Sequence, residues 1–146
     1  MPKFSQHSTE RLATCDKRLQ EVLEYVISHY DCSVLCGQRG QEDQEEAFAK
    51  GNTKVHFPNS RHNKTPSQAV DVMPYPIIWP SLVGLTSEEK EKARAYATVC
   101  RFAGFVQGVA AHMGYKLTWG GDWNRNGIIE PGDDWDLPHF QVEGQN

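Results

Sequence analysis

Ser60-Arg61-His62-Asn63-Lys64-Thr65-Pro66-Ser67-Gln68-Ala69-Val70-Asp71-Val72 is the stretch on which the fold turns. Its first half is polar and closes a long loop that runs from Thr53 to Pro66 and carries Pro58 and Pro66. Its second half, Ala69-Val70-Asp71-Val72, reads as a strand. Successive strand side chains point to opposite faces, so Asp71 faces away from Val70 and Val72. The aliphatic pair then seeks the core and leaves Asp71 in a cleft. The same parity recurs at the end of the chain, where His139 and Gln141 share one face and Phe140 and Val142 the other. A loop histidine, a strand aspartate and a second strand histidine can therefore converge.

Outward from that stretch, Ser8 can cap a helix reaching about Tyr30, with Leu12, Cys15, Leu19, Val22, Leu23, Val26 and Ile27 at helical spacing. Ser33 to Cys36 reads as a short strand ended by Gly37. Gln41 to Lys50 is helical and stops at Gly51. Pro74 to Pro80 is too proline-rich for helix. Thr86 and Glu89 form a capping box for a helix whose apolar face carries Ala93, Tyr96, Val99, Cys100, Phe102, Phe105, Val106, Val109 and Met113. Gly114 ends it. Tyr115 to Trp119 is a strand, Gly120 to Asp136 a polar loop, and His139 to Val142 the last strand. These elements predict an α+β fold: a small, mainly antiparallel sheet with N-terminal and central helices.

At 146 residues the chain fits one domain with a real core. A net charge of −4 provides no global basic field for nucleic acid. No stretch approaches the roughly 20 apolar residues of a spanning helix, so no membrane insertion is expected. The first residues, Met1 to His7, lack the apolar core of a secretory signal, which predicts synthesis in the cytoplasm. Cys15 and Cys100 fall on apolar faces of expected helices, and Cys32 and Cys36 flank a short apolar run. Their spacing is not that of a Cys-rich zinc site, and reduced, mostly buried thiols are expected.

A catalytic zinc takes three protein ligands from His, Asp or Glu and keeps one position open. His62, Asp71 and His139 are such a set. Singly, each has an ordinary reading, and Asp71 could be a turn or cap residue. His7, His29, His56 and His112 lack comparable neighbours.

In combination, Ser60-x-His62, Ala69-x-Asp71 and Asp136-x-Pro138-His139-Phe140 resemble the zinc D,D-peptidase family. That family includes the vancomycin-resistance carboxypeptidases and the phage L-alanyl-D-glutamate peptidases used as endolysins. Gly37-Gln38-Arg39 with Gln44, and Trp119-Gly120-Gly121-Asp122-Trp123, are most similar to the endolysin branch. The gap from His62 to Asp71 is two residues longer than the family's usual spacing, and Ser67 stands where glycine is usual.

The resemblance implies a hedgehog/D-Ala-D-Ala-peptidase-like fold with His62, Asp71 and His139 as zinc ligands. It implies Asp136 as general base and Arg39 as the group that stabilises developing charge. Gln44 and Ser60 are the expected substrate-binding residues. The ordinary alternatives are a turn residue before Pro138 for Asp136 and a surface ion pair with Glu42 or Asp43 for Arg39.

A second metal pattern overlaps the last loop. Asp122, Asn124, Asn126, Ile128 (through its carbonyl), Glu130 and Asp133 fit a twelve-residue calcium loop with Gly127 at the turn position. Asp133 replaces the usual Glu. The flanks are not helical on both sides, so an isolated calcium loop is expected rather than an EF-hand domain; the alternative is a solvated turn.

The resulting expectation is a monomeric phage endolysin that cuts the L-alanyl-D-glutamate bond of the peptidoglycan stem peptide. It would form one catalytic domain over residues 1–146 with no separate wall-binding domain. It would be made in the host cytoplasm and act on the wall after release. A D-alanyl-D-alanine carboxypeptidase, a non-catalytic zinc-containing binding module and a structural virion protein are the alternatives.

Overall fold

The computed structural model describes residues 1–79, 87–132 and 135–144. Strands β1 (Cys32–Cys36), β2 (Ala69–Pro74), β3 (Leu117–Trp119) and β4 (His139–Val142) form one sheet in the order β1-β2-β4-β3. Every neighbouring pair is antiparallel. Helices α1 (Gln6–Leu12), α2 (Lys17–Ile27), α3 (Gln41–Ala49) and α4 (Ser87–His112) complete the α+β fold expected from the sequence. Among the described residues, no helix is long and apolar enough to cross a membrane.

The single N-terminal helix expected from Ser8 to Tyr30 is instead two. Ser5, not Ser8, caps α1, and Asp16 caps α2 by accepting the Arg18 N–H. Local capping wins because the break is tied down elsewhere. The Asp16 N–H donates to the Ser67 carbonyl at 2.7 Å and the Ser67 N–H to the Thr14 carbonyl at 2.9 Å. The Ser8 hydroxyl is buried and accepts from the Val34 N–H at 3.1 Å, which anchors β1. Cys15 thus lies in the break rather than on a helix. None of the four cysteines forms a disulfide, as expected, and Cys15 and Cys32 are buried.

One sheet face carries Val34, Val70, Val72, Phe140 and Val142, and it packs with Val22 and Val26 of α2 and Val99, Phe102 and Val106 of α4. Burying each such side chain contributes about 1.5–3 kcal/mol. On α4, Ala95 and Ala103 are buried while Ala93, expected inward, is exposed. Thr86, the other half of the expected capping box, lies outside the described residues.

The opposite face builds the site. Pairing slips between Val34 and Cys36: Val34 lies opposite Val72, and Cys36 opposite Asp71. Such a bulge re-aims side chains. Asp71 in turn lies opposite His139. Cys36, Asp71 and His139 therefore form one row across β1, β2 and β4. The loop before β2 delivers His62 above that row on a single 3-10 turn, Arg61–Asn63, capped by Ser60. Ser67 is buried, with its hydroxyl donating to the Ala69 carbonyl at 2.6 Å.

Candidate metal centre and active site

His62 Nε2 lies 3.2 Å from Asp71 Oδ1 and 3.2 Å from His139 Nδ1. His139 Nδ1 and Asp71 Oδ1 are 3.5 Å apart. A tetrahedral zinc with bonds of about 2.0–2.1 Å separates its ligand atoms by about 3.3–3.4 Å. The donor triangle matches that edge length, so these residues fit the ion that the resemblance implies.

The outer nitrogens decide which lone pairs face inward. His62 Nδ1 donates to the Gly37 carbonyl at 2.7 Å, leaving Nε2 as the free donor atom. His139 Nε2 donates to Gln141 Oε1 at 2.9 Å, leaving Nδ1 free. The Gln141 amide is oriented because its nitrogen donates to Glu143 Oε1 at 2.8 Å. Acceptors on the outer nitrogen fix ring orientation and tautomer at metal sites. Both rings are nearly sealed, His62 at 3 % exposure and His139 at 5 %. Gly37 has no room for a side chain, since a Cβ there would run into the Arg11 carbonyl and Thr14 Oγ1.

Charge sorts the same cluster. With no metal bound, burial disfavours the His62 cation, but Asp71 and then Cys36 outweigh it and raise the imidazole to about 10, so an incoming ion takes the place of the Nε2 proton. Burial also opposes the Asp71 charge, yet His62 and His139 hold its carboxyl well below the usual range. Asp136 moves the other way: burial, then the Asp71 charge, raises it to about 6 against the pull of His139, His62 and Arg39.

Asp136 Oδ2 stands 3.7 Å from His139 Nδ1, beside the donor triangle and farther out than its members. Its place depends on Gly120. The Asp136 N–H donates to the Gly120 carbonyl, the Gly120 N–H to the His139 carbonyl, and the His139 N–H to the Asp136 carbonyl. A Cβ on Gly120 would collide with the Asp136 carbonyl, so the close approach requires glycine.

Arg39 does not pair with Glu42 or Asp43. Its Nη2 lies 3.4 Å from Asp71 Oδ2, and its Nη1 donates to Gln44 Oε1 at 3.2 Å. Gln44, expected at the substrate, is 0 % exposed. It accepts from Asn63 and donates to the Val55 carbonyl, so it braces Arg39 from beneath. Ser60 lines the cleft and spends its oxygen accepting the His62 N–H at 3.2 Å.

The triangle sits at the wall of a cleft of about 900 Å³ whose apolar lining includes Leu35, Val55, Tyr96, Trp79, Trp123 and Trp135. Trp123 stacks on Trp135 at 5.2 Å and lies against His139 at 5.1 Å. Lys54 covers Trp135, 4.3 Å from the ring centroid. An open, aromatic-walled cleft of this size admits a short peptide in extended form.

The 122–130 loop is braced by its own bonds. Asp122 accepts the Asn126 and Gly127 N–H groups, Asn124 accepts the Asn126 N–H, and Asn126 accepts the Ile128 N–H. The Asn126 amide donates to Glu130 at 3.1 Å. Ile128 and Ile129 are exposed. Asp133, the last member of the calcium pattern, lies outside the described residues.

A family model described as phage L-alanyl-D-glutamate peptidase matches residues 1–142. The chain belongs to that family. The L-alanyl-D-glutamate peptidase of Escherichia phage T5 is 27 % identical over 130 residues, covering 86 % of this chain and 84 % of that protein. The crystal structure of the L-Ala D-Glu endopeptidase ChiX from Serratia marcescens aligns at a TM-score of 0.58 and 26 % identity, covering 97 % of this chain and 90 % of that one.

Within this family member, three contributors escaped the sequence reading. Gln141 orients His139; its parity with His139 was the available signal. The Gly37 carbonyl orients His62, which only the folded backbone reveals. Cys36 enters the site row through a bulge that the short apolar pattern of β1 does not announce.

Proposed function

We propose that this family member is a zinc-dependent endolysin that hydrolyses the L-alanyl-D-glutamate bond of the peptidoglycan stem peptide. The convergence of His62 Nε2, Asp71 Oδ1 and His139 Nδ1 within 3.5 Å of one another, on an open cleft, carries this reading. His62, Asp71 and His139 would hold the zinc, which when bound would supply Lewis-acid polarisation of the scissile carbonyl and of water, whose pKa such an ion brings toward ~7. Asp136 takes the proton of the attacking water and returns it to the leaving amine. Arg39 offers a fixed donor fork to the oxyanion that develops on the carbonyl. Gln44 and Asp71 hold that fork in place, and Ser60 holds the His62 turn.

The reading extends to a monomeric catalytic domain over residues 1–146, made in the host cytoplasm and active on the wall after release. It also includes a calcium ion on the loop of Asp122, Asn124, Asn126, Ile128, Glu130 and Asp133. Mass spectrometry of digested peptidoglycan tests the bond. New fragments should begin at D-glutamate, and free D-alanine would instead mark a carboxypeptidase. Purified protein should hold about one zinc, and His139→Ala should lose both zinc and activity. Full activity in a metal-free preparation would overturn the mechanism.

A further inference from the structure

We propose that Cys36, His62 and Asp71 form a second metal position that takes a thiophilic divalent cation and excludes the ion from the His139 set. The inference builds on the metal reading of this cleft. The bulge in β1 sets Cys36 opposite Asp71, on the flank away from His139. Donor atoms of Cys36, His62 and Asp71 lie within 4.8 Å of one another, so three ligand types meet around one point. That point already attracts positive charge. Arg39 Nη2 sits 3.6 Å from the Cys36 sulfur and 3.4 Å from Asp71 Oδ2, a guanidinium held between two of the three donors.

Softness separates this set from its neighbour. The His139 side offers nitrogen and carboxylate oxygen; the Cys36 side adds sulfur, which favours thiophilic ions. A metal there displaces the thiol proton to solvent and forms a metal–sulfur bond, with no change of oxidation state. The two positions cannot fill together. His62 has one free nitrogen, because Nδ1 is committed to the Gly37 carbonyl, and both sets need it. An ion at Cys36 would also evict Arg39 and stand away from Asp136, leaving the peptidase inactive. Among the described residues, no other cysteine joins such a cluster.

The test titrates the zinc-loaded, full-length protein with cadmium and follows sulfur-to-metal charge-transfer absorption alongside zinc release. The absorption should grow in step with released zinc. Cys36→Ser should abolish it and weaken cadmium binding at least ~10-fold, the scale on which even outer-shell partners of a metal act. His139→Ala and His139→Asn should both keep the absorption, since His139 is not one of the three ligands of the thiol set. Absorption that persists in Cys36→Ser, cadmium uptake without zinc release, or absence of the band from the parent would each overturn the proposal. A protein that binds zinc through His139 yet shows no sulfur band loses this inference alone; one that never binds zinc loses the proposed function as well.

Discussion

Gln141 provides the sharpest quantitative handle on the centre. Gln141→Leu keeps the side-chain volume near that of the parent and removes the acceptor 2.9 Å from His139 Nε2. His139 is 5 % exposed, so water cannot readily replace that acceptor. A buried donor left unmet costs about 1–3 kcal/mol. That cost falls on the metal-bound form, because without the metal the ring is free to turn once the acceptor is gone. At about 1.4 kcal/mol per tenfold, zinc affinity should fall by roughly 5- to 150-fold. That range brackets the ~10–100-fold typical of outer-shell partners. Competition against a chromophoric chelator measures the loss directly. Gln141→Glu separates orientation from packing. It keeps an acceptor for His139 but sets a carboxylate against Glu143, which now receives the Gln141 amide at 2.8 Å. Zinc affinity should survive in that variant while thermal stability drops. Unchanged zinc affinity in Gln141→Leu would refute the claim that this hydrogen bond sets the His139 donor atom.

Asp136→Ala should keep zinc, because its carboxylate stands outside the donor triangle, and should lose at least ~10²-fold in turnover; loss of zinc content, read by atomic emission, would make Asp136 a ligand instead. Asp16→Ala removes the α2 cap and an Arg18 ion pair of 2.9 Å, and should cost about 1–3 kcal/mol in chemical denaturation. The Arg18 hydrogen bond holds the Asp16 carboxyl below its usual range, so this contribution is complete above about pH 4 and is lost as pH falls through the lower folded value. The gap between parent and variant should therefore be flat near neutrality and close in acid; a gap that widens in acid contradicts the assignment. Activity at constant zinc should rise with free calcium in the parent and not in the Asp122→Ala, Asn124→Ala double variant, whereas equal rates in a strong calcium chelator would reduce the loop to a turn.

Much of the fold was legible before any coordinates because it follows from local periodicity. The alternation in Ala69–Val72 and His139–Val142 settles which side chains face the core, since apolar burial outweighs every other local preference there. The N-terminal segment departs from its expected single helix for the opposite reason. Its apolar spacing runs through the break, and only the backbone bonds between Asp16, Ser67 and Thr14, fifty residues apart in sequence, make two helices the better arrangement.

The same division holds at the site. Residue type marks His62, Asp71 and His139 as metal donors, and strand parity determines the face that Asp71 and His139 present, because donor chemistry and side-chain direction are local properties. Whether those atoms meet is not local. The 3.2 Å approach of His62 to His139 spans seventy-seven positions and exists only because β2 and β4 pair in one register. The inward lone pairs depend on acceptors from other segments, the Gly37 carbonyl and Gln141. Gln44 shows the limit of motif reading, for the family resemblance implies a substrate contact while burial makes it a brace. Cys36 shows it again, since a one-residue slip in strand pairing, invisible in composition, turns an ordinary thiol toward the metal donors.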